Sequence, residues 1–278
     1  MTGLDERELK RIAGDALEED IGSGDITTDA IIPPRKRAKA CLIAKENCIV
    51  CGLRVAEAVF KALDTDAEFV GKVYDGDTAE AGQVIAEVQG DARALLAGER
   101  TALNFLQRMS GISTTTKKYA DILRGYDVKL LDTRKTTPGL RVLEKYAVRT
   151  GGGGNHRAGL YDAILIKDNH IKLAGMKAAV MKAKETGKRV EVEACSIDEV
   201  RGALEAGADV IMLDNMPNGD IEKAVGIIGK RSIIEVSGGI DEDNIESIAK
   251  LGVDWISVGR LTHSVPSVEI SMEIADAK

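Results

Sequence analysis

The sequence predicts an α/β protein whose second half is built from parallel βαβ units. Its 278 residues are 44% hydrophobic but only 3% aromatic, with 29 glycines, so the core must be assembled from Ala, Val, Ile and Leu between many tight turns. From residue 129 onward, short apolar runs recur roughly every twenty residues with helical patterns between them, the rhythm of parallel strands joined by crossover helices. Six such runs are present, short of the eight of a complete (β/α)₈ barrel.

Taken in order, residues 5–19 read as an acidic helix, "AKACLIAKENCIVCGL" as strand material and "RVAEAVFKALD" as a helix. "VYDGDTAEAGQVIAEVQG" alternates and turns at DGD and EAG, the pattern of short antiparallel strands with tight reversals. It faintly resembles biotinyl-type sandwich domains but has no lysine at the hairpin tip. "ARALLAGERTALNFLQRMSGISTTTKKYADILRG" is a long helical region. The six later strands are "KLLDTRK" (129–135), "AILIKD" (163–168), "RVEVEA" (189–194), "VIMLDN" (210–215), "SIIEVSGG" (232–239) and "WISVGR" (255–260). "SIDE" at 196–199 fits a capping box, Asp220 and Asp241 suit N-caps, and "LG" at 251–252 suits a helix stop. The domains expected are 1–112 and 113–265, with a tail from 266 to 278 folding back on the first.

A net charge of −7 opposes general binding to nucleic acid or anionic membrane. No stretch approaches the ~20 apolar residues of a spanning helix, and the start reads as no signal peptide, so a cytoplasmic location is expected. Cys41, Cys48, Cys51 and Cys195 are then expected to be reduced. Cys48 and Cys51 form a CxxC within strand material, where residues three apart face opposite ways, so they read as small buried side chains rather than metal ligands.

Parallel strands are covered on both faces, so charges at their carboxyl ends are the informative exceptions. The first strand ends in Arg134 and Lys135, the second in Lys167 and Asp168, the third in Glu193, the fourth in Asp214, the fifth in Ser237-Gly238-Gly239 and the sixth in Gly259. Between Asp132 and Lys172 stand eight Lys or Arg against four Asp or Glu, a local +4 inside a chain of −7. Like charges ~4 Å apart repel by about 1 kcal/mol in water and about 4 kcal/mol at an effective dielectric near 20, so clustered bases in a cleft imply a polyanionic ligand. Glycines after the last two strands would let backbone N–H groups approach a phosphate, aided by the following helix N-terminus. Glu191 and Glu193 point the same way, Glu193 nearer the strand end. With Asp214, Glu193 could hold ribose hydroxyls or a phosphate-borne Mg²⁺, or it could form an ion pair with Lys167. In "RTGGGGNHRAGLYDAILIKDNH" (149–170), the four glycines are expected to free a loop that carries Asn155, His156 and Arg157 over a ligand. His170 and His263 are expected to be structural or peripheral.

The blocks "ERTALNFLQRMSGIST", "LLDTRKTTPGLRVLEKYAVRTGGGGNHRAGLYDAILIKDNHI", "VEVEACSIDE", "VIMLDN", "SGGI" and "SVGRLTHS" closely resemble the quinolinate phosphoribosyltransferase family, the carboxylating nicotinate-nucleotide pyrophosphorylases, over nearly the whole chain. The resemblance implies an N-terminal α/β sandwich domain, an open, incomplete parallel β/α barrel domain and a homodimer, or a higher oligomer, whose subunits share active sites. It implies the reaction of quinolinate with phosphoribosyl pyrophosphate and Mg²⁺ to nicotinate mononucleotide, pyrophosphate and CO₂, a step of de novo NAD biosynthesis, with no organic cofactor. By position, Arg134, Lys135, His156 and Arg157 match residues that hold quinolinate or adjacent phosphates, and Arg100 matches an arginine donated by the other subunit. Lys167, Glu193 and Asp214 match a catalytic trio, the two carboxylates also facing the metal. Ser237, Gly238, Gly239 and Gly259 match a ribose-phosphate site. Arg260 stands where the family has a small residue, and either contacts phosphate or reaches solvent. A molybdenum-uptake paralogue of the same fold and a lysine Schiff-base barrel lyase are the rival activities; a phosphate-binding protein without turnover is the third.

Overall fold

The alternation of buried and exposed residues along "RAKACLIA" and "VIAEVQGD" produces two paired antiparallel strands in the computed structural model, which describes residues 4–275. The chain divides into two units, one made of the segments up to Lys117, Pro138–Gly152 and Val265 onward, the other of Lys118–Thr137 and Gly153–Ser264. This differs from a single boundary at 112/113, because the segment 138–152 joins the first unit.

The first unit contains α1 (Glu6–Ile21), α2 (Ile26–Ile31), β1 (Arg37–Ala44), β2 (Cys48–Ile49), α3 (Leu53–Leu63), β3 (Glu68–Gly71), β4 (Thr78–Ala79), β5 (Val84–Asp91), most of α4 (Ala92–Ile122), α5 (Arg141–Thr150) and the last strand β12 (Ile270–Ile274). Its sheet runs β12-β1-β5-β3, all antiparallel, so the tail at 270–274 is an edge strand against β1. The reversals expected in 73–90 are present: turns at Asp75-Gly76 and Ala81-Gly82 separate β3, β4 and β5, and these strands pair antiparallel, β4 with β2 and β3 with β5. Cys48 and Cys51 are buried and free, and burial pushes the Cys51 thiol up to about 12, as expected of small apolar side chains.

The second unit contains β6 (Lys129–Leu131), β7 (Ile164–Ile166), α6 (Asp168–Ala174), α7 (Met176–Lys184), β8 (Val190–Ala194), α8 (Ile197–Ala206), β9 (Val210–Asp214), α9 (Asn218–Ile228), β10 (Ile233–Ser237), α10 (Ile245–Ala249), β11 (Trp255–Ser257) and α11 (Arg260–His263). All six expected strands are present and parallel, in the order β6-β11-β10-β9-β8-β7. The sheet is not closed by strand pairing between β6 and β7; instead Gly154 forms an isolated parallel bridge with Leu131 of β6. The two-residue strand period sorts the side chains. Val192, Ile211, Leu213, Val236 and Ile256 take one parity and are buried, whereas Glu191, Glu193, Asp214, Glu235, Ser237 and Ser257 take the other.

Helix starts differ in detail from the sequence signals. Ser196 caps α8 by accepting from Glu199 N, but the Glu199 carboxylate accepts from Cys195 N, so the box is offset by one residue. Asp220 lies in the first turn of α9 behind Pro217, and Asp241 accepts from the N–H groups of Asp243 and Asn244 before α10 starts. Gly252, at φ +80°, ends the turn after α10. Among the described residues no helix is long and apolar enough to cross a membrane.

The glycine run does not free a loop. A Cβ on Gly151 would lie 2.4 Å from Ser113 O, Gly152 sits at φ +94°, and a Cβ on Gly154 would lie 2.9 Å from Leu131 Cδ2. The run exists for close packing and a left-handed turn. Gly151→Ala forces the α5 end away from Ser113 and is expected to destabilise the protein by about 1–3 kcal/mol, read as a lowered thermal midpoint, with Gly219→Ala, at an open helical position, as the harmless control.

Candidate active site

The carboxyl ends of the six strands surround a cavity of about 400 Å³ lined wholly by the second unit. It gathers Arg134 and Lys135 after β6, His156 and Arg157 from the glycine segment, and Lys167 at the end of β7. Glu193 of β8, Asp214 of β9 and Ser237-Gly238-Gly239 after β10 complete it. Four cations thus face two carboxylates across one concavity. Arg100 is exposed on α4 and Gly259 begins α11; neither lines this cavity. Gly259 acts indirectly, since a Cβ there would lie 2.9 Å from Lys135 Cδ, while Thr262 donates to Lys135 O at 2.7 Å.

Local structure aims each group. Lys167 Nζ hydrogen-bonds Glu193 Oε2, a short contact joining adjacent strands, so the ion pair considered for Glu193 is present within the site itself. His170 Nδ1 accepts the Lys167 backbone N–H at 2.9 Å and so turns the chain after β7. His263 Nδ1 meets Ser264 Oγ at 2.6 Å, so both histidines engage their own sequence neighbours. The Arg157 guanidinium is buried and donates to Ala163 O at 3.1 Å. Burial, and then the charge of Arg134, lower its pKa, which is the signature of two guanidiniums facing a common space.

Several participants were invisible to a reading of strand ends. Asp132, fully buried, accepts from Asn155 Nδ2 at 2.6 Å and from His156 N at 2.8 Å and so carries the Asn-His-Arg segment. Asn215 lines the cavity at φ +54°, donates Nδ2 to Asp214 Oδ2 at 2.9 Å, and holds Ser237 O through its backbone N–H. A Cβ on Gly238 would lie 2.3 Å from Asn215 Oδ1, so that glycine makes room for a neighbour as well as for a ligand. An Asn directly after a strand-ending Asp was the available signal, because Asn tolerates left-handed backbone. Glu235 is buried in mid-strand; a charge inside "SIIEVS" was the clue.

The phosphate expectation needs one revision. Gly238 and Gly239 both have positive φ and present consecutive amides, but the next helix, α10, begins only at Ile245 and spans five residues. Any anion binding there rests on the turn amides alone. Arg260 lies 3.8 Å from Asp241 with its side chain more than half exposed.

A family model for the quinolinate phosphoribosyl transferase N-terminal domain matches residues 25–110, and its C-terminal domain counterpart matches 112–273. The chain is 47% identical over 276 residues to a probable carboxylating nicotinate-nucleotide pyrophosphorylase of Methanocaldococcus jannaschii, covering 95% of this chain and 96% of that one. It is 43% identical to one of Bacillus subtilis, covering 96% and 93%. The solved nicotinate-nucleotide pyrophosphorylase of Francisella tularensis superposes with a TM-score of 0.94 at 42% identity, covering 99% of this chain and 98% of that one. Both matched domains, an antiparallel sheet in one unit with a parallel sheet in the other, and a basic cavity at the barrel mouth agree, and the chain belongs to the quinolinate phosphoribosyl transferase family.

Proposed function

We propose that this chain transfers the phosphoribosyl group of phosphoribosyl pyrophosphate to quinolinate with loss of CO₂, giving nicotinate mononucleotide and pyrophosphate. The observation that carries the reading is one cavity holding Arg134, Arg157, Lys135 and Lys167 against Glu193 and Asp214. Quinolinate bears two adjacent carboxylates, and planar guanidinium forks grip such groups bidentately where a lysine offers only a point charge. The depressed Arg157 describes a guanidinium pair that an anionic ligand would relieve.

Placed there, the ring nitrogen faces the anomeric carbon of a ribose whose phosphate meets the amides of Gly238 and Gly239. The nitrogen lone pair forms the N–C bond as the C–O bond to pyrophosphate breaks and its electron pair leaves with pyrophosphate. Positive charge developing on the ribose lies near Glu193 and Asp214, and Lys135 and Arg134 steady the departing anion. The adjacent carboxylate then breaks its C–C bond, leaves as CO₂, and the electron pair stays on the ring carbon beside the cationic nitrogen until a proton replaces it. Glu193 and Asp214 supply the oxygen donors Mg²⁺ prefers, and two carboxylates with substrate phosphates suit its usual partial protein coordination. Bound there, the ion would neutralise pyrophosphate charge.

We further infer a homodimer in which the exposed Arg100 serves the partner's cavity, supported by apolar side chains left exposed, including Ile26, Ile31, Leu160 and Leu173. A cytoplasmic location fits four free cysteines. The Lys167 amine is engaged by the Glu193 carboxylate, which argues against a Schiff-base lyase that needs that amine for its carbonyl substrate.

Labelled CO₂ should be released from carboxyl-labelled quinolinate only with the phosphoribosyl donor and Mg²⁺ present; release without the donor, or none at all, would defeat the reading. Lys167→Ala should fold normally and lose on the order of 10²–10³-fold in kcat, as for removal of a charge-stabilising group, measured by nicotinate mononucleotide formation. Mixing inactive Arg100→Ala and Arg134→Ala chains should recover part of the activity through mixed dimers; no recovery after verified subunit exchange counts against the shared site.

A further inference from the structure

Beneath the cavity lies a group that the proposed chemistry leaves unused. Glu191 of β8 and Glu235 of β10 are both buried, Glu235 completely, and with His156 they bring one ligand atom each to within 4.8 Å of one another. His156 and Arg157 line both the substrate cavity and a second one of about 300 Å³, bounded by Lys129, Arg189 and Trp255 near the strand starts. His156 thus joins the acid pair to the wall between the two cavities.

Hydrogen bonds place the ring proton. The Arg157 backbone N–H donates to His156 Nδ1 at 2.8 Å, so Nδ1 accepts and the proton sits on Nε2. From there Nε2–H faces Glu191 Oε2 at 3.0 Å and Glu235 Oε1 at 3.5 Å. Nε2–H hydrogen-bonds Glu191 Oε1 at 3.3 Å, and a ring nitrogen that carries its proton has no lone pair to offer a metal ion. Ser257 Oγ donates to Glu235 Oε1 at 2.5 Å, while Glu235 Oε2 is buried without a donor. An ionised carboxylate with an empty buried oxygen beside a second buried carboxylate is costly, and a shared proton removes that cost.

We propose that Glu235 is a positioning residue: as the neutral acid it leaves the His156 ring to Glu191, and so locks the Asn155-His156-Arg157 segment that carries the Arg157 guanidinium into the substrate cavity. Both ring nitrogens of His156 are engaged within the protein, one on Arg157 and one on the acid pair, so this histidine holds its neighbour in place. Burial first, and then the charge of Glu191, push the Glu235 carboxyl up to about 8, against the opposing pull of His156 and Ser257. Met212 of β9 and Trp255 of β11 lie in register with Glu235 and Ser257 donates to it, none of them titratable. Asp132 holds the His156 backbone from β6, and the Arg157 guanidinium feels the Glu191 charge.

The sign of the pH effect follows. The unfolded carboxyl titrates near 4.5 and the folded one near 8, so the stability tied to Glu235 is full below 4.5 and is lost as pH rises toward 8. The inference rests on the proposed reaction only for what Arg157 grips. Glu235→Gln keeps a neutral donor-acceptor group, and should retain kcat and the KM for quinolinate within about twofold; Glu235→Ala should raise that KM by about tenfold or more, with the KM for the phosphoribosyl donor little changed. Without any substrate, the thermal midpoint of Glu235→Gln relative to the native chain should climb between pH 4.5 and 8 and level off above, and the substitution should delete the infrared C=O band of a buried carboxylic acid. A Gln variant as damaged as the Ala variant at pH 7, a flat midpoint difference, or an unchanged infrared spectrum overturns the proposal. The melting and infrared arms decide it even if Glu235→Ala does not fold or if quinolinate is not the substrate.

Discussion

Convergence of like charge on one concave surface is the constraint to which the rest of the second unit is fitted. Arg134 and Lys135 leave β6, Arg157 arrives before β7 and Lys167 ends β7, so the cations flank the gap in strand pairing, bridged on one side by Gly154. Moving around the sheet, the carboxylates of β8 and β9 come next, and the glycine turn after β10 follows. The charges are thereby segregated by strand order into a cationic sector, an anionic sector and a sector of bare amides. A dicarboxylate, a ribose acquiring positive charge and a phosphate are the complements of those sectors, in that order.

Holding charges so close has structural consequences. The Lys167–Glu193 contact neutralises one cation in place, and Asp132 ties the Asn-His-Arg segment to β6. The parity of each strand keeps the apolar set packed on one face, so the polar set can occupy the other without breaking the core. Lower in the barrel, the buried Glu191 and Glu235 face the His156 ring together, and burial pushes the Glu235 carboxyl up to about 8.

Much of this was readable along the chain. The six parallel strands, the long helix α4, and the cavity residues at strand ends all follow local rules of period and position, which survive into the folded state because each depends on a few neighbouring residues. The misreadings share a cause as well. The glycine run read as freedom when it was close approach, because Ser113, which forbids a side chain at Gly151, lies far away in sequence. The reversals at 75–76 and 81–82 were legible, but that β4 pairs with β2 was not, since no local pattern announces that partner. Glu235 escaped notice because a charge in mid-strand acquires meaning only from what faces it.

What the sequence by itself determined is the class of the molecule and the inventory of its chemistry: a parallel α/β unit, a surplus of bases at one block of residues, carboxylates and glycines at successive strand ends. Period-two and period-3.6 patterns encode those features directly. Tertiary structure alone decided which of them meet: that Arg157 shares a space with Arg134, that Asn215 holds the Ser237 carbonyl, and that Glu191, Glu235 and His156 come within reach of one another. Electrostatic and hydrogen-bonding energies fall off over a few ångströms, and separations of that size between residues tens of positions apart exist only once the barrel has formed.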